Sequence, residues 1–171
     1  GRETFEARTC TGFWGKDPKK DEKMAIVRFD RLPQRPARLA VLRLCVDHAP
    51  LALAVLMEDR MSVNVLPPGA WAPGASWLET GTGKPWQGEH GTRGTFVSFA
   101  VPRRSVEPMP WIEWDVTTAV NAAAASPAAA VDLFVRSEYI GHYTSQVGHR
   151  FFGTESKDVR RRPQLWLEYD P

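Results

Sequence analysis

The sequence predicts an antiparallel β-sandwich or jelly roll of about nine short strands with one minor helical segment. Three observations carry that expectation. Apolar residues alternate with polar ones over short stretches, the period of a half-buried strand. These stretches follow one another across turns instead of alternating with helices, which favours antiparallel over α/β architecture. Glycine and proline cluster between them, as turns require.

The 171 residues suffice for one domain with a sizeable core and are short for two. With 43% hydrophobic and 25% charged residues the composition is that of an ordinary globular protein. No apolar run is long enough to cross a bilayer, so membrane insertion is not expected. The 22 basic and 20 acidic residues nearly cancel, giving a net charge of +2, and nothing in that balance points to nucleic acid. The first residue is Gly, which suggests a processed piece of a longer chain, and no signal segment is seen. Two cysteines, Cys10 and Cys45, are too few for a disulfide framework and are expected as free thiols. Cys45 shares strand parity with Arg43 and Asp47, so an accessible position is expected for it.

Residues 1–23 are polar and without period, and read as a loop with one short strand around 4–9. Strands follow at 24–29 (MAIVRF) and 38–47, then at 51–57 and 61–66. The stretch 67–94 is rich in Gly and Pro yet holds Trp71, Trp77 and Trp86. Mobile linkers seldom carry so much aromatic surface, so this loop is expected to pack down, to present a binding platform, or both.

A strand at 96–101 leads to the one at 111–116 (WIEWDV), around which the chain is arranged. Ile112, Trp114 and Val116 fall on one face, and Trp111, Glu113 and Asp115 on the other. Asp115 precedes Val-Thr-Thr and an Ala-rich run, the place of a helix N-cap. Ser126-Pro127 breaks that run, leaving room for about two helical turns. Strands at 131–136, 150–152 and 164–169 complete the count, with Pro163 just ahead of the last, where it removes no central ladder bond.

In order along the chain come Ile26-Val27-Arg28-Phe29-Asp30 with Leu32-Pro33, then Ala40-Val41-Leu42-Arg43-Leu44-Cys45-Val46, then Trp71 and Ser76-Trp77. After them come Trp111 with Asp115-Val116-Thr117 and Val120, Phe152-Gly153-Thr154-Glu155, and Arg162-Pro163-Gln164-Leu165-Trp166-Leu167-Glu168-Tyr169. With these six segments the chain resembles the DNRLRE-domain family, which is related to alginate-binding carbohydrate-binding modules and disaggregatase-type repeats. The resemblance covers residues 26–170; no single segment is specific, and their order carries it. The family's opening strand is absent or distorted in residues 1–20. The resemblance implies a β-sandwich module, residues 1–171, of a larger extracellular or cell-surface microbial protein. Its partners would be a polysaccharide and the other modules of that parent protein.

Among the motif residues, Arg28, Asp30, Asp115, Glu155 and Arg162 are expected to be half-buried charges that cap strand ends and pair with one another, since a charge removed from water needs a partner. The same carboxylates could hold a structural calcium ion, although no D-x-D-x-D-G loop is present. Arg150, Lys157, Arg160, Arg161 and Arg162, with Arg103-Arg104 elsewhere, form basic runs. A solvated turn is the ordinary fate of such a run; the sharper alternative is an edge that binds carboxylate or sulfate through the guanidinium fork.

Sugars offer apolar ring faces and many hydroxyls, so their sites join an aromatic to polar side chains, and an acidic sugar adds Arg, Lys or His. Two stretches supply these types. One holds Trp86, His90 and Arg93; the other is a polar, aromatic hairpin with His142, Tyr143, His149 and Arg150. Of the tryptophans, Trp77 and Trp111 are assigned to structure and Trp86 to the surface. The function expected is non-catalytic binding of a polysaccharide, for which an acidic one such as alginate is a candidate. The alternatives are a spacer or adhesion module without a glycan site, and a polysaccharide lyase. A lyase could use His142 or Tyr143 on the proton and Gln146 or Arg150 on the uronate. No Ser-His-Asp set, metal-ligand spacing, phosphate loop or glycosidase carboxylate pair stands in the sequence.

Overall fold

The computed structural model describes residues 1–14, 23–48, 61–75, 80–86, 94–100, 111–137 and 150–171. In chain order its elements are β1 (Arg2–Glu6), β2 (Thr9–Trp14), β3 (Lys23–Phe29), β4 (Leu39–His48), β5 (Met61–Leu66), β6 (Thr95–Ala100), β7 (Trp111–Asp115), α1 (Thr117–Ala124), β8 (Val131–Ser137), β9 (Arg150–Phe151), a 3₁₀ turn at Val159–Arg161, and β10 (Gln164–Glu168).

The strands form two antiparallel sheets. The first runs β1-β10-β4-β7, with β9 paired to the far end of β4; the second runs β2-β3-β8-β5-β6. The predicted antiparallel sandwich with a minor helix is thus the fold. The expected strand at 51–57 lies outside the described residues.

Alternation decides which side chains meet between the sheets. Leu42 and Leu44 of β4, Ile112 and Trp114 of β7, and Leu165 and Leu167 of β10 face Val27 and Phe29 of β3, Val63 of β5, and Leu133 and Val135 of β8; all are buried. Trp114 ties the sheets together, its indole Nε1 donating to the Met61 carbonyl at 3.0 Å. The apolar face expected at Ile112, Trp114 and Val116 is this core face.

The N-terminal segment departs from the expectation of a loop with one strand at 4–9. It forms two strands with a break at Ala7-Arg8, one in each sheet: Arg2 pairs with Glu168 in β10, and Thr9 with Arg28 in β3. Partners far along the chain dictate the conformation here, and local pattern does not report them.

Helix α1 is two turns long, as the Ser-Pro break predicts. Val116 occupies the cap position, and Asp115 supplies the cap from one residue earlier: its Oδ1 accepts from the Thr117 N–H at 3.0 Å and from the Thr117 hydroxyl at 2.6 Å. Asn121 fastens the helix to the β3–β4 connection, accepting from the Ala37 N–H at 2.8 Å and donating to the Ala37 carbonyl at 3.0 Å.

The tryptophan loop packs down on the second sheet. Trp71 and Ala75 form a smaller core with Ile26, Leu66 and Phe134 on that sheet's outer face, and Trp86 is half-buried against it. Gly81 shapes the fold-back at φ +82°, with the Ala72 carbonyl where a side chain would begin. Thr80 anchors the same turn through its carbonyl to the Ala72 N–H and its own N–H to the Lys84 carbonyl.

Cys45 is buried, contrary to the accessible position expected from its parity. Trp111 is its register partner on β7, and on the opposite flank Phe152 donates its N–H to the Cys45 carbonyl. Neighbours thus crowd this outer-face position from both sides.

Candidate functional site: a cleft beside the helix

A cleft of about 510 Å³ opens where α1 meets the end of the second sheet. Its helical wall is Ala119, Ala122 and Ala123, continued by Ser126, Ala128 and Ala130; the facing wall is the run from Val65 to Gly69 with Thr95. Arg28, Asp30 and Asp132 bring charge to these mostly small, apolar surroundings. Few polar groups on a concave apolar surface is the usual make-up of a ligand site.

The strands fix this charged group. Arg28 in β3 and Asp132 in β8 are direct register partners on the outer face of the second sheet. Their side chains form a bidentate pair, Nε to Oδ1 at 2.7 Å and Nη2 to Oδ2 at 2.8 Å. Trp71 lies under the pair, its Nε1 donating to Asp132 Oδ1 at 2.8 Å and its ring 5.3 Å from the guanidinium carbon. Asp132 is buried, whereas Arg28 keeps about a quarter of its side chain in solvent (26%). Hydrogen bonding to Asp132 raises the Arg28 pKa above its usual value, against the pull of burial. Two of the guanidinium's three nitrogens are therefore committed, and Nη1 has no partner among the described residues.

Asp30, at the same rim, binds the exposed Arg8 at 2.5 Å, Nη1 to Oδ2. The predicted charged set is therefore half-buried in part and pairs differently from the expectation. Arg28 takes Asp132, Asp30 takes Arg8, and Arg162 takes Glu6 at 3.4 Å and the Ser156 carbonyl at 3.0 Å. Asp115 serves the helix, and Glu155 is exposed beside Gly153. Cross-strand register selected these partners, and spacing along the chain does not report register.

The outer face of the first sheet carries a second aromatic and cationic array. Trp166 of β10 is flanked by guanidiniums from the two neighbouring strands, Arg43 at 3.5 Å and Arg2 at 4.5 Å from its ring, and Arg43 also lies 4.4 Å from Trp111. Arg43 binds Glu113 at 2.7 Å, and Arg2 binds Glu168, which Arg38 also reaches at 2.7 Å. With both neighbours of Trp166 occupied and the charges paired, this array closes the sheet surface and offers no free stacking face at that ring. Trp111, expected to be structural, is part of it.

Two arginines of the basic run near the C-terminus share a carboxylate from within the run. Asp158 caps the 3₁₀ turn by accepting from the Arg160 N–H at 3.1 Å, and it pairs with Arg160 at 3.0 Å and Arg161 at 3.2 Å. The hydrogen bond from the Arg160 side chain holds the Asp158 carboxyl below its usual range. A solvated turn, not an open anion site, matches that geometry. Arg103 and Arg104 lie outside the described residues.

Of the site residues expected from sequence, Trp86 is the one whose side chain is among the described residues. Trp86, expected at the surface, is half-buried against the core made by Trp71, because the loop folds onto the sheet. His90, Arg93, His142, Tyr143 and His149 lie outside the described residues, and so does the Arg150 side chain, although its backbone begins β9. Among the described residues no group of three or more His, Cys, Asp or Glu side chains is arranged to hold a metal ion, and no helix is long and apolar enough to cross a membrane. The residue that the sequence reading missed is Asp132. Its signal was present: Arg28 and Asp132 are each a charge flanked on both sides by apolar residues (IVRF, VDLF). No protein-family model matches the chain, and a search of curated proteins found no match.

Proposed function

We propose that the chain is a non-catalytic polysaccharide-binding module of a secreted or cell-surface protein, with the cleft beside α1 holding one sugar residue of the chain-like ligand. The observation that carries this is the Arg28–Asp132 pair on the wall of an open, largely apolar cleft. A sugar presents C–H faces to apolar walls and hydroxyls to a few fixed polar groups, and this cleft supplies both. Because Asp132 and Trp71 hold the guanidinium in place before any ligand arrives, binding need not immobilise it. The resemblance to carbohydrate-binding modules supports the same function.

A spacer module without a glycan site is the second reading, and a specific observation favours it: Trp71 is buried and Trp86 half-buried, so these two tryptophans cover the sheet instead of standing out from it.

Affinity electrophoresis of the chain through gels containing neutral, acetylated, uronate and sulfated polysaccharides separates these readings. The binding module is retarded in at least one gel and the spacer migrates freely in all of them. An absorbance assay for unsaturated uronate on the same polymers tests lyase activity, and adding chelator to the gels tests dependence on a metal.

A further inference from the structure

Resting on the polysaccharide-binding reading above, we infer that the cleft selects an uncharged sugar residue carrying an acyl group, such as an O-acetyl ester, over a uronate.

Charge gives the first half of the inference. Among the described residues, the ionisable side chains of the cleft are one cation, Arg28, and two carboxylates, Asp30 and Asp132. Asp132 already occupies Nε and Nη2 of Arg28, and Arg8, which balances Asp30, stands in solvent and is not part of the cleft lining. A uronate entering here would meet a guanidinium whose charge Asp132 already balances, would face two carboxylates, and would lose its own hydration. An anion is stable away from water only when its partners outweigh that loss, and like charges add to it. A neutral residue meets no such opposition, since one hydroxyl can donate to Asp30 while Arg28 Nη1 donates to another oxygen.

The walls give the second half. Among the described lining residues, Ser126 and Thr95 are the hydrogen-bonding side chains apart from the charged trio, and the remainder is alanine, valine, leucine, proline and glycine. A sugar with hydroxyls on every carbon would bury several without partners, at a cost for each. An acyl ester replaces one hydroxyl with a methyl group, which suits Ala122 and Ala123, and a carbonyl that accepts from Arg28 Nη1 without offering a proton. Burial of one such small apolar group is worth about tenfold or more in affinity.

The test uses the intact chain in affinity gels containing partly O-acetylated glucomannan or acetylated xylan, the same polymers after de-acetylation with mild alkali, and alginate. The expected result is retardation by the acetylated polymers, about tenfold weaker binding after de-acetylation, and no retardation by alginate. Ala122→Trp, at an exposed helix position facing the cleft, should abolish retardation while circular dichroism and thermal melting show an intact fold. Equal retardation by acetylated and de-acetylated polymer would overturn the acyl preference and leave polysaccharide binding standing. Salt-sensitive retardation by alginate would overturn the charge argument. Undiminished binding by folded Ala122→Trp would place the ligand elsewhere and overturn the inference. Free migration in all of these gels and through the other polysaccharides would remove the polysaccharide reading and this inference together.

Discussion

Arg28 and Asp132, register partners on the outer face of the second sheet, meet in a bidentate pair with nitrogen–oxygen distances of 2.7 and 2.8 Å, and the Trp71 indole donates to the same carboxylate. This contact joins fold to site. It fastens the tryptophan loop to the second sheet and sets a guanidinium at the wall of the cleft.

Removing the charge from one partner leaves the other without compensation. Asp132→Asn is expected to cost roughly 2–3 kcal/mol, less than for a fully buried pair because Arg28 is partly solvated. Trp71→Phe loses one hydrogen bond and part of a bicyclic ring in the smaller core, an expected cost of about 1–2 kcal/mol. Urea unfolding of both variants checks the order; a larger loss for Trp71→Phe would mean that packing of the loop dominates the charge pair.

Trp114→Phe tests how the two sheets are joined. The buried Met61 carbonyl loses its indole donor and the core loses part of a bicyclic ring, for an expected loss of about 2–4 kcal/mol. The midpoint of denaturation should fall with little change in its slope.

Gly81→Ala should detach the tryptophan loop from the second sheet. The position combines φ +82° with an Ala72 carbonyl oxygen 2.4 Å from where Cβ would stand, and that oxygen is backbone. The left-handed conformation alone disfavours Ala by about 1 kcal/mol, and the steric overlap adds to it. Faster amide exchange confined to residues 67–86 would report the local release; unchanged exchange there would contradict it.

Stability should fall on the acid side in part through Glu168. A hydrogen bond from Arg2 holds its carboxyl below the usual value, with Arg38 and the N-terminal ammonium adding to the effect. Folding therefore favours the ionised form. The contribution is present above the ordinary glutamate pKa, about 4.3, and is lost as the pH falls through the lowered folded-state value. Melting temperatures recorded from neutral to strongly acidic pH should decline less steeply for Glu168→Gln than for the parent chain.

Much of the fold was legible because parity is local information. The alternation of Ile112, Trp114 and Val116 marks a core face, and the Asp115-Val-Thr-Thr run marks a capped helix, displaced by one residue from the expected register. What was not legible depends on partners distant in sequence. β1 and β2 are recognisable only beside Glu168 and Arg28, and Cys45 is buried by neighbours that β7 and the C-terminal segment bring to its face. The site followed the same division. Arg28 stood out as a charge flanked by apolar residues, but its partner came from strand register, and the cleft walls are alanines whose chemistry is visible only once α1 faces the sheet.

Equilibrium binding of an acetylated polysaccharide to the parent chain and to Ala122→Trp decides whether the cleft beside α1 is the glycan site. Saturable binding to the parent is expected, and its loss in a variant that melts at the same temperature. Equal affinity in both proteins would contradict it.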